Sequence, residues 1–188
     1  MKEQNPELVG WITIPNIAID YPVMQAKEDN NYYLTHDFHG HKDSHGTPFL
    51  DMNCKLGESE NLIIYGHHMK DGTMFQNLKL YEDASFCEEN PAIYFDTPDN
   101  SSTYEVRFVM ILSGRETEDF PYHSCTRLNS EEAYEEFIAK CRQYSIWCSE
   151  DIPDFRDELL TLSTCEYSKQ NGRLILVAQK LYSSLAGD

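Results

Sequence analysis

Apolar residues occur along this chain in short runs, most of them ended by Pro, Gly, Asn or Asp. Runs that alternate with polar residues, or that are continuous and rich in branched side chains, are typical of β-strands. We predict two strands within residues 9–25 and one strand in each of the segments 46–52, 62–65, 92–95, 103–112, 159–164 and 174–178. About eight strands predict a mainly β fold, but periodicity alone does not distinguish a closed barrel from a sandwich.

Helical spacing of apolar residues is found in fewer segments. Residues 129–147 form the clearest helix, because Asn129 and Glu132 have the spacing of a capping box at its start. Its apolar stripe consists of Tyr134, Phe137, Ile138, Cys141 and Tyr144. Residues 73–81 predict a shorter helix, and residues 30–34 predict a turn or one helical turn. We therefore expect two or three helices added to the strands.

Length and charge limit the classes of function. A chain of 188 residues with 40% hydrophobic content is enough for one domain, residues 1–188, with a single core. The net charge of -17, with only 15 Lys and Arg, argues against binding to nucleic acid or directly to anionic lipid. No apolar run approaches the length that spans a bilayer, and the start of the chain does not have the pattern of a signal peptide.

Cysteine and histidine spacing does not predict a metal site. The six cysteines have neither the CxxC spacing of a metal site nor the density of a disulfide framework, and we expect most of them to be small buried side chains. Four histidines lie irregularly within one polar segment, which we interpret as a solvated loop: His36, His39, His41 and His45. We therefore predict no metal and no other cofactor.

A thiol and a cation lie on either side of the turn between the last two predicted strands. Cys165 ends the first of these strands and Arg173 begins the second, with an Asn-Gly turn signal between them. A thiol attacks as its thiolate, which a neighbouring cation stabilises, and the same cation can bind a substrate oxygen. This pair is the strongest candidate for chemistry in the chain.

An acid or base for this thiol is expected at the end of another predicted strand. The apolar run at residues 62–65 stops at Gly66, which is followed by His67 and His68. A glycine allows close approach of the backbone, and a histidine just beyond a strand end can pair with a cysteine from a neighbouring strand. The residues alone do not decide which of the two histidines pairs with Cys165.

Four segments together resemble the class B sortases of Gram-positive bacteria. They are VGWITIP, IYGHHMKDGTMF, TLSTC and NGRLILVAQ, in the order in which the family has them, and the resemblance extends over residues 9–181. It implies a closed, mostly antiparallel, eight-stranded β-barrel with added helices. It also implies that Cys165 is the nucleophile, that His67 rather than His68 is the acid and base, and that Arg173 binds the oxyanion or the substrate.

The resemblance further implies which residues contact the substrate. Asn30 and Leu34 match positions beside the groove for the sorting signal, and Ser163 and Glu166 flank the nucleophile. Simpler interpretations stay open for each of them: a structural loop for Asn30 and Leu34, strand pairing for Ser163, and a solvated charge for Glu166. The long helix at residues 129–147 matches the connection that forms one wall of the groove, or it covers an open end of the barrel.

The implied reaction is transpeptidation. The enzyme would cleave an NPxTN-like or PxTG-like signal at the C-terminus of a secreted protein, after the Thr, and join that protein through an acyl-enzyme to a peptidoglycan amine. The partners implied are the secreted proteins and the amine donor. An N-terminal anchor that this chain does not contain would hold the enzyme at the extracellular face of the cell membrane.

Other functions remain possible from the residues alone. A cysteine endopeptidase would use the same Cys and His but resolve the acyl-enzyme with water. A phosphatase would need C-x5-R in a phosphate-binding loop, whereas the spacing here is C-x7-R, which argues against that function. A non-enzymatic cell-surface binding domain would contain Cys165 as a buried, unreactive thiol.

Overall fold

The structure, a computed structural model, describes residues 2–185 apart from the side chain of Glu166. Nine strands in this range form one sheet. They are β1 (Leu8–Ile14), β2 (Ile19–Met24), β3 (Phe49–Leu50), β4 (Asn61–Tyr65), β5 (Ala92–Asp96), β6 (Asn100–Leu112), β7 (Ser145–Cys148), β8 (Leu159–Glu166) and β9 (Gly172–Leu185).

Eight of these strands close into a barrel. The strand order is β5-β1-β2-β3-β4-β8-β9-β6, and β5 pairs again with β6, while β7 extends the sheet from β6 outside the barrel. The pairs β2–β3 and β4–β8 are parallel, and the other pairs are antiparallel. The predicted closed, eight-stranded barrel is therefore confirmed, as a mixed sheet in which antiparallel pairs predominate.

Short helices connect the strands within the described range. They are α1 (Ala84–Glu89), α2 (Gly114–Asp119), α3 (Glu131–Tyr144) and the 3₁₀ helices Tyr32–Leu34, Gln76–Glu82 and Tyr122–Ser124. The helix predicted at residues 73–81 is a 3₁₀ helix because Phe75, Leu78 and Tyr81, three residues apart, are all completely buried. No helix in residues 2–185 has the length and apolar character needed to cross a membrane.

The boundaries predicted for the long helix were wrong at both ends. Its N-cap is Ser130, whose hydroxyl accepts from the Ala133 N–H, so Asn129 and Glu132 do not form the capping box. At the other end the backbone becomes extended at Ser145, and Trp147 lies in β7. The chain leaves the helix here because β7 pairs with the C-terminal half of β6, beyond the part that pairs with β5.

The strands that carry the cysteine and the arginine lie between two hydrophobic cores. Side chains alternate along β9, so that Leu174, Leu176 and Ala178 face the barrel interior while Ile175 and Val177 join the core under α3. Strand β8 is buried in the same way on both faces. The parts of these strands that lead to Cys165 and away from Arg173 are therefore packed on both faces.

The cysteines other than Cys165 play varied packing roles. All six cysteines are free. Cys54, Cys87 and Cys141 are buried, and burial raises the pKa of each thiol, to about 12 for Cys54 and about 11 for Cys87. Cys125 is half-buried, and Cys148 is exposed on β7.

Candidate active site

A cleft of about 860 Å³ lies at the end of the barrel where β4 and β8 stop. The side chains that line it come from the strand ends and from the connections around residues 30–34, 49–53 and 117–126. Six of the seven site residues predicted from the sequence line this cleft, namely Asn30, Leu34, His67, Ser163, Cys165 and Arg173. The seventh is Glu166, whose side chain lies outside the described part of the structure.

Cys165 and Arg173 face each other across the hairpin of β8 and β9. They are partners in the antiparallel ladder, and such partners have Cβ atoms about 4.5–5.5 Å apart. The turn between them is closed by a hydrogen bond from Gly172 N–H to Lys169 O (3.1 Å). Asn171 occupies the left-handed region of that turn (φ 53°), which asparagine tolerates better than most residues. The structure thus brings the thiol and the cation together at one end of the barrel.

His67 is held by a backbone carbonyl of the 3₁₀ helix Tyr32–Leu34. Its Nε2 lies 2.7 Å from the carbonyl oxygen of Leu34. Because a carbonyl oxygen only accepts, Nε2 carries the proton and Nδ1 is the nitrogen that can gain or lose one. Leu34 therefore contributes its backbone to the position of His67, a role that the sequence analysis did not assign to it.

Gly66 is required for the chain to reach this position. A Cβ atom at Gly66 would lie 2.6 Å from the ring of Phe75. After the glycine, the His67 carbonyl accepts from the Phe75 N–H (2.8 Å). The 3₁₀ helix that follows therefore packs behind the histidine segment, as the spacing of its apolar residues indicated.

His68 contacts the main chain of the cysteine. Its Nδ1 lies 3.0 Å from the carbonyl oxygen of Cys165. The Tyr167 hydroxyl donates to the His68 carbonyl (3.2 Å), and the two rings meet edge to face with centroids 5.0 Å apart. The two adjacent histidines thus point to different partners, His67 to Leu34 and His68 to the backbone of Cys165.

Ser163 forms a hydrogen bond with Tyr122, a residue that the sequence analysis did not identify. The Ser163 hydroxyl lies 2.8 Å from the hydroxyl of Tyr122, and both side chains are buried. Burial raises the pKa of Tyr122, an effect opposed by the bond to Ser163 and by the charge of Arg173. No periodic pattern marks Tyr122, because it belongs to a 3₁₀ helix of three residues.

A buried carboxylate organises the wall of the cleft near Asn30. Asp51 is only 3% exposed. Its Oδ2 accepts from Asn30 Nδ2 and from the Tyr65 hydroxyl, both at 3.1 Å, and its Oδ1 accepts from the backbone and side-chain N–H groups of Asn53. The Asn30 Oδ1 in turn accepts from Met52 N–H (2.8 Å), so the orientation of the Asn30 amide is fixed from both ends.

One buried hydroxyl in the cleft has no partner within the described residues. Thr164 precedes the cysteine, lines the cleft and is 2% exposed, yet its Oγ1 makes no hydrogen bond to any described group. An unpaired buried hydroxyl costs about 1–3 kcal/mol. A bound substrate that offered a polar group to Thr164 would remove this cost.

The histidine-rich loop makes local hydrogen bonds. His36 Nδ1 lies 2.7 Å from Tyr32 O, and His45 lies between two carboxylates, at 2.9 Å from Asp43 and 2.9 Å from Asp71. Across the part of the chain that the structure describes, no group of three or more His, Cys, Asp or Glu side chains is arranged to hold a metal ion.

Comparisons with known proteins identify the family to which the sequence and the fold are similar. The family model for the sortase domain matches residues 12–181. Sortase B of Listeria monocytogenes is 35% identical over 179 residues, which are 94% of this chain and 70% of that protein. The structure of Clostridium perfringens sortase B superposes with a TM-score of 0.88 at 30% identity, covering 96% of this chain and 97% of that one. A Staphylococcus aureus sortase B-substrate complex gives a TM-score of 0.85 at 30% identity, with 96% of this chain and 82% of that chain covered.

Proposed function

This chain belongs to the sortase family and is a class B cysteine transpeptidase, and from this premise we propose that Cys165, His67 and Arg173 carry out its reaction. The observation that carries the proposal is their arrangement in one cleft. The thiol and the guanidinium face each other across a hairpin, and the histidine is held through Nε2, so that Nδ1 is the nitrogen that can exchange a proton with the substrate. Sortases act on proteins that carry a sorting signal, and this cleft is the place in the molecule where such a segment would bind.

The first step forms the acyl-enzyme. The Cys165 thiolate attacks the carbonyl carbon of the Thr in the sorting signal, a C–S bond forms, and the carbonyl oxygen becomes negative. His67, protonated on Nδ1, gives that proton to the leaving amine as the C–N bond breaks. The products are a thioester on Cys165 and the released C-terminal segment of the substrate.

Arg173 is the residue that stabilises the negative oxygen. It lies directly opposite the nucleophile and makes no ion pair with any described carboxylate, so its charge is available to the substrate. Its Nη1 donates to the Gly172 carbonyl (2.9 Å), which helps to hold the guanidinium in place. Loss of one such donor typically costs about 2.7–4 kcal/mol of transition-state stabilisation.

The second step transfers the acyl group. His67, now neutral at Nδ1, takes a proton from an amine of a peptidoglycan precursor as the amine attacks the thioester. The C–S bond breaks, the thiolate of Cys165 returns, and an amide joins the secreted protein to the cell wall. Water would give a free acid in the same step, which is the reaction of an endopeptidase.

The sorting signal would be held by the residues around this catalytic group. We assign it contacts with the fixed amide of Asn30 and with the unpaired hydroxyl of Thr164. Ser163 is hydrogen-bonded to Tyr122, so it would contribute to the shape of the cleft. Glu166 would contact the substrate, as the resemblance implies. An NPxTN-like or PxTG-like signal is the expected substrate.

We also infer the setting in which the enzyme works. Sortases are cell-surface enzymes, and we assign this chain to the extracellular face of the cell membrane, held there by an N-terminal anchor. Residues 1–188 would then be a single catalytic domain. The continuous barrel across the described residues and the family match over residues 12–181 support this assignment.

Mass spectrometry tests the proposal directly. The wild-type protein and a Cys165→Ala variant are incubated with NPxTN-like and PxTG-like peptides, with and without an amine donor. We expect an acyl adduct on Cys165 with cleavage after Thr, an amide product when the amine is present, and no adduct in the variant. Hydrolysis that an amine cannot divert would favour the endopeptidase, and unmodified Cys165 with every peptide would favour a binding domain.

A further inference from the structure

The parallel pairing of β4 with β8 stops just short of the active site. Its last register pair is Tyr65 with Ser163, and the Gly66 N–H then donates to the Ser163 carbonyl (3.1 Å). Carbonyls that face the same neighbouring strand recur at every second residue. The next carbonyl of β8 that faces β4 is therefore that of Cys165. If the ladder continued, this carbonyl would accept a hydrogen bond from the backbone N–H of His68.

The histidine segment leaves the ladder before that bond can form. Beyond Gly66 the backbone pairs with another segment, because His68 forms an isolated bridge with Met74 and the His67 carbonyl accepts from the Phe75 N–H. The carbonyl oxygen of Cys165 accepts a hydrogen bond from the His68 imidazole instead, with Nδ1 at 3.0 Å from the oxygen. A side chain thus takes the place of the missing ladder bond beside the nucleophile.

A second bond runs between the same two segments in the opposite direction. The Tyr167 hydroxyl donates to the His68 carbonyl at 3.2 Å, and the Tyr167 ring packs edge to face on the imidazole at an interplanar angle of 76°. His68, the residue after His67, therefore contacts both Cys165 and Tyr167. These contacts join the main-chain segments that carry the two proposed catalytic side chains.

We propose that His68 is a positioning residue for the transpeptidation, which holds the main chain of Cys165 at a fixed distance from His67. The proposal rests on the proposed roles of Cys165 and His67 and adds to them. Because the Cys165 carbonyl only accepts, His68 Nδ1 carries a proton whether the ring is neutral or charged. The bond is therefore made by either form of the ring, and we expect its loss to appear in kcat rather than in the pH dependence of the reaction.

Three substitutions of His68 distinguish positioning from other roles. His68→Ala removes the donor, His68→Asn places an amide N–H near the position of Nδ1, and His68→Gln places the amide one methylene farther away. A displacement of about 1 Å in an active site can cost about 100-fold in rate. We expect His68→Ala and His68→Gln to lose about 10- to 100-fold in kcat, with unchanged KM for the peptide, and His68→Asn to recover most of that loss.

The measurement is steady-state kinetics across pH with a sorting-signal peptide and an amine donor. Both limbs of the pH profile should stay at their wild-type positions in every variant. A lost or shifted limb would mean that His68 is itself the acid or base, and a raised KM at unchanged kcat would mean that it binds substrate. Wild-type kinetics in His68→Ala would also overturn the proposal.

Controls separate this proposal from the proposed function. Cys165→Ala and His67→Ala are assayed beside the His68 variants, and activity that survived in Cys165→Ala would contradict the mechanism itself. Inactive Cys165→Ala with a fully active His68→Ala would contradict the positioning role alone. If His68→Ala lost its thermal unfolding transition, the Asn and Gln variants would decide, since they differ only in where the donor lies.

Discussion

The two walls of the cleft are held in place by different forces. The cysteine wall, formed by Cys165 and Arg173, lies at the end of an antiparallel ladder whose strands are buried on both faces. The amide wall, formed by Asn30 and Asp51, lies outside the strands and depends on side-chain hydrogen bonds to one buried carboxylate. The first wall is maintained by backbone pairing and packing, and the second by a polar network.

This difference separates the two tasks of the enzyme. Reacting groups need a geometry fixed to within about 0.5 Å, which regular strands provide better than loops. Recognition of a peptide is commonly left to loops on a rigid scaffold. We therefore expect substitutions in the cysteine wall to lower kcat and substitutions in the amide wall to raise KM, and the predictions below test this division.

The largest effect is expected at Arg173. Arg173→Ala should lower kcat by about 100- to 1,000-fold, because a preorganised donor to the oxyanion is lost. Arg173→Lys should recover only part of the loss, since an ammonium group does not reproduce the planar fork of the guanidinium. Steady-state kinetics with a sorting-signal peptide would check both variants, and an Arg173→Lys enzyme with unchanged kcat/KM would refute the assignment.

A smaller effect, and on a different parameter, is expected at Asp51. Asp51→Ala removes the common acceptor of Asn30, Asn53 and Tyr65, so the Asn30 amide loses its fixed orientation. We expect the KM for the peptide to rise about tenfold, which corresponds to about 1.4 kcal/mol, with little change in kcat.

Asp51→Asn is the matched control for this prediction. It keeps the shape of the side chain and one acceptor oxygen, so its KM should lie between those of the wild type and Asp51→Ala. The division between the walls would fail if Asp51→Ala lowered kcat at constant KM, because the network would then act on the reacting groups.

The same contrast explains what could be predicted from the sequence. The hairpin of β8 and β9 follows from two apolar runs and a turn signal, and strand pairing then brings Cys165 opposite Arg173. The apolar run that stops at Gly66 indicates His67 and His68 together, and only the resemblance to class B sortases selects His67. Backbone ladders and core packing leave a periodic pattern in the sequence, so this wall could be anticipated before the structure was known.

The amide wall leaves no such pattern. The bond between Asn30 and Asp51 joins residues 21 positions apart, and that between Tyr122 and Ser163 spans 41 positions. Contacts of this kind depend on the tertiary arrangement of loops and cannot be derived from spacing. The resemblance to class B sortases suggested Asn30 and Ser163 as substrate contacts, and the structure adds the protein groups that orient their side chains.

Substitutions of Tyr122 and Ser163 test how the cysteine wall is supported from outside the barrel. Tyr122→Phe removes one hydroxyl and leaves the buried Ser163 hydroxyl without its partner, so we expect a loss of stability of about 1 kcal/mol. Adding Ser163→Ala removes the unpaired group, so the double variant should lose less than the sum of the two single variants. Urea unfolding of the four proteins measures this coupling, and strictly additive losses would show that the two hydroxyls do not interact in solution.

The smallest effect is expected at a bridge between the loop after Leu34 and the loop after His68. His45 lies between Asp43, in the segment after Leu34, and Asp71, in the segment after His68. The hydrogen bonds to Asp71 and then to Asp43 raise the pKa of His45 above its ordinary 6.5. Hydrogen bonds from Thr73 and from His45 lower the pKa of Asp71 to about 2.

These shifts define the pH range in which the bridge stabilises the fold. Because the pKa of His45 is higher in the folded protein, its contribution is complete below pH 6.5 and is lost as the pH rises through the folded value. The contribution of Asp71 is complete above pH 3.8 and is lost as the pH falls toward 2. The bridge is therefore strongest between about pH 4 and pH 6.5.

His45→Asn should lower the melting temperature within that range and have a progressively smaller effect above it. All three side chains are exposed, so the change should amount to a few degrees at most and should shrink further in high salt. Melting curves of the wild type and His45→Asn at about pH 5 and about pH 8.5 would check this. If the difference in melting temperature between the two proteins grew with pH, neutral His45 would make the stabilising contact. If the difference were confined to acidic pH, the two segments would be joined by charge as well as by packing.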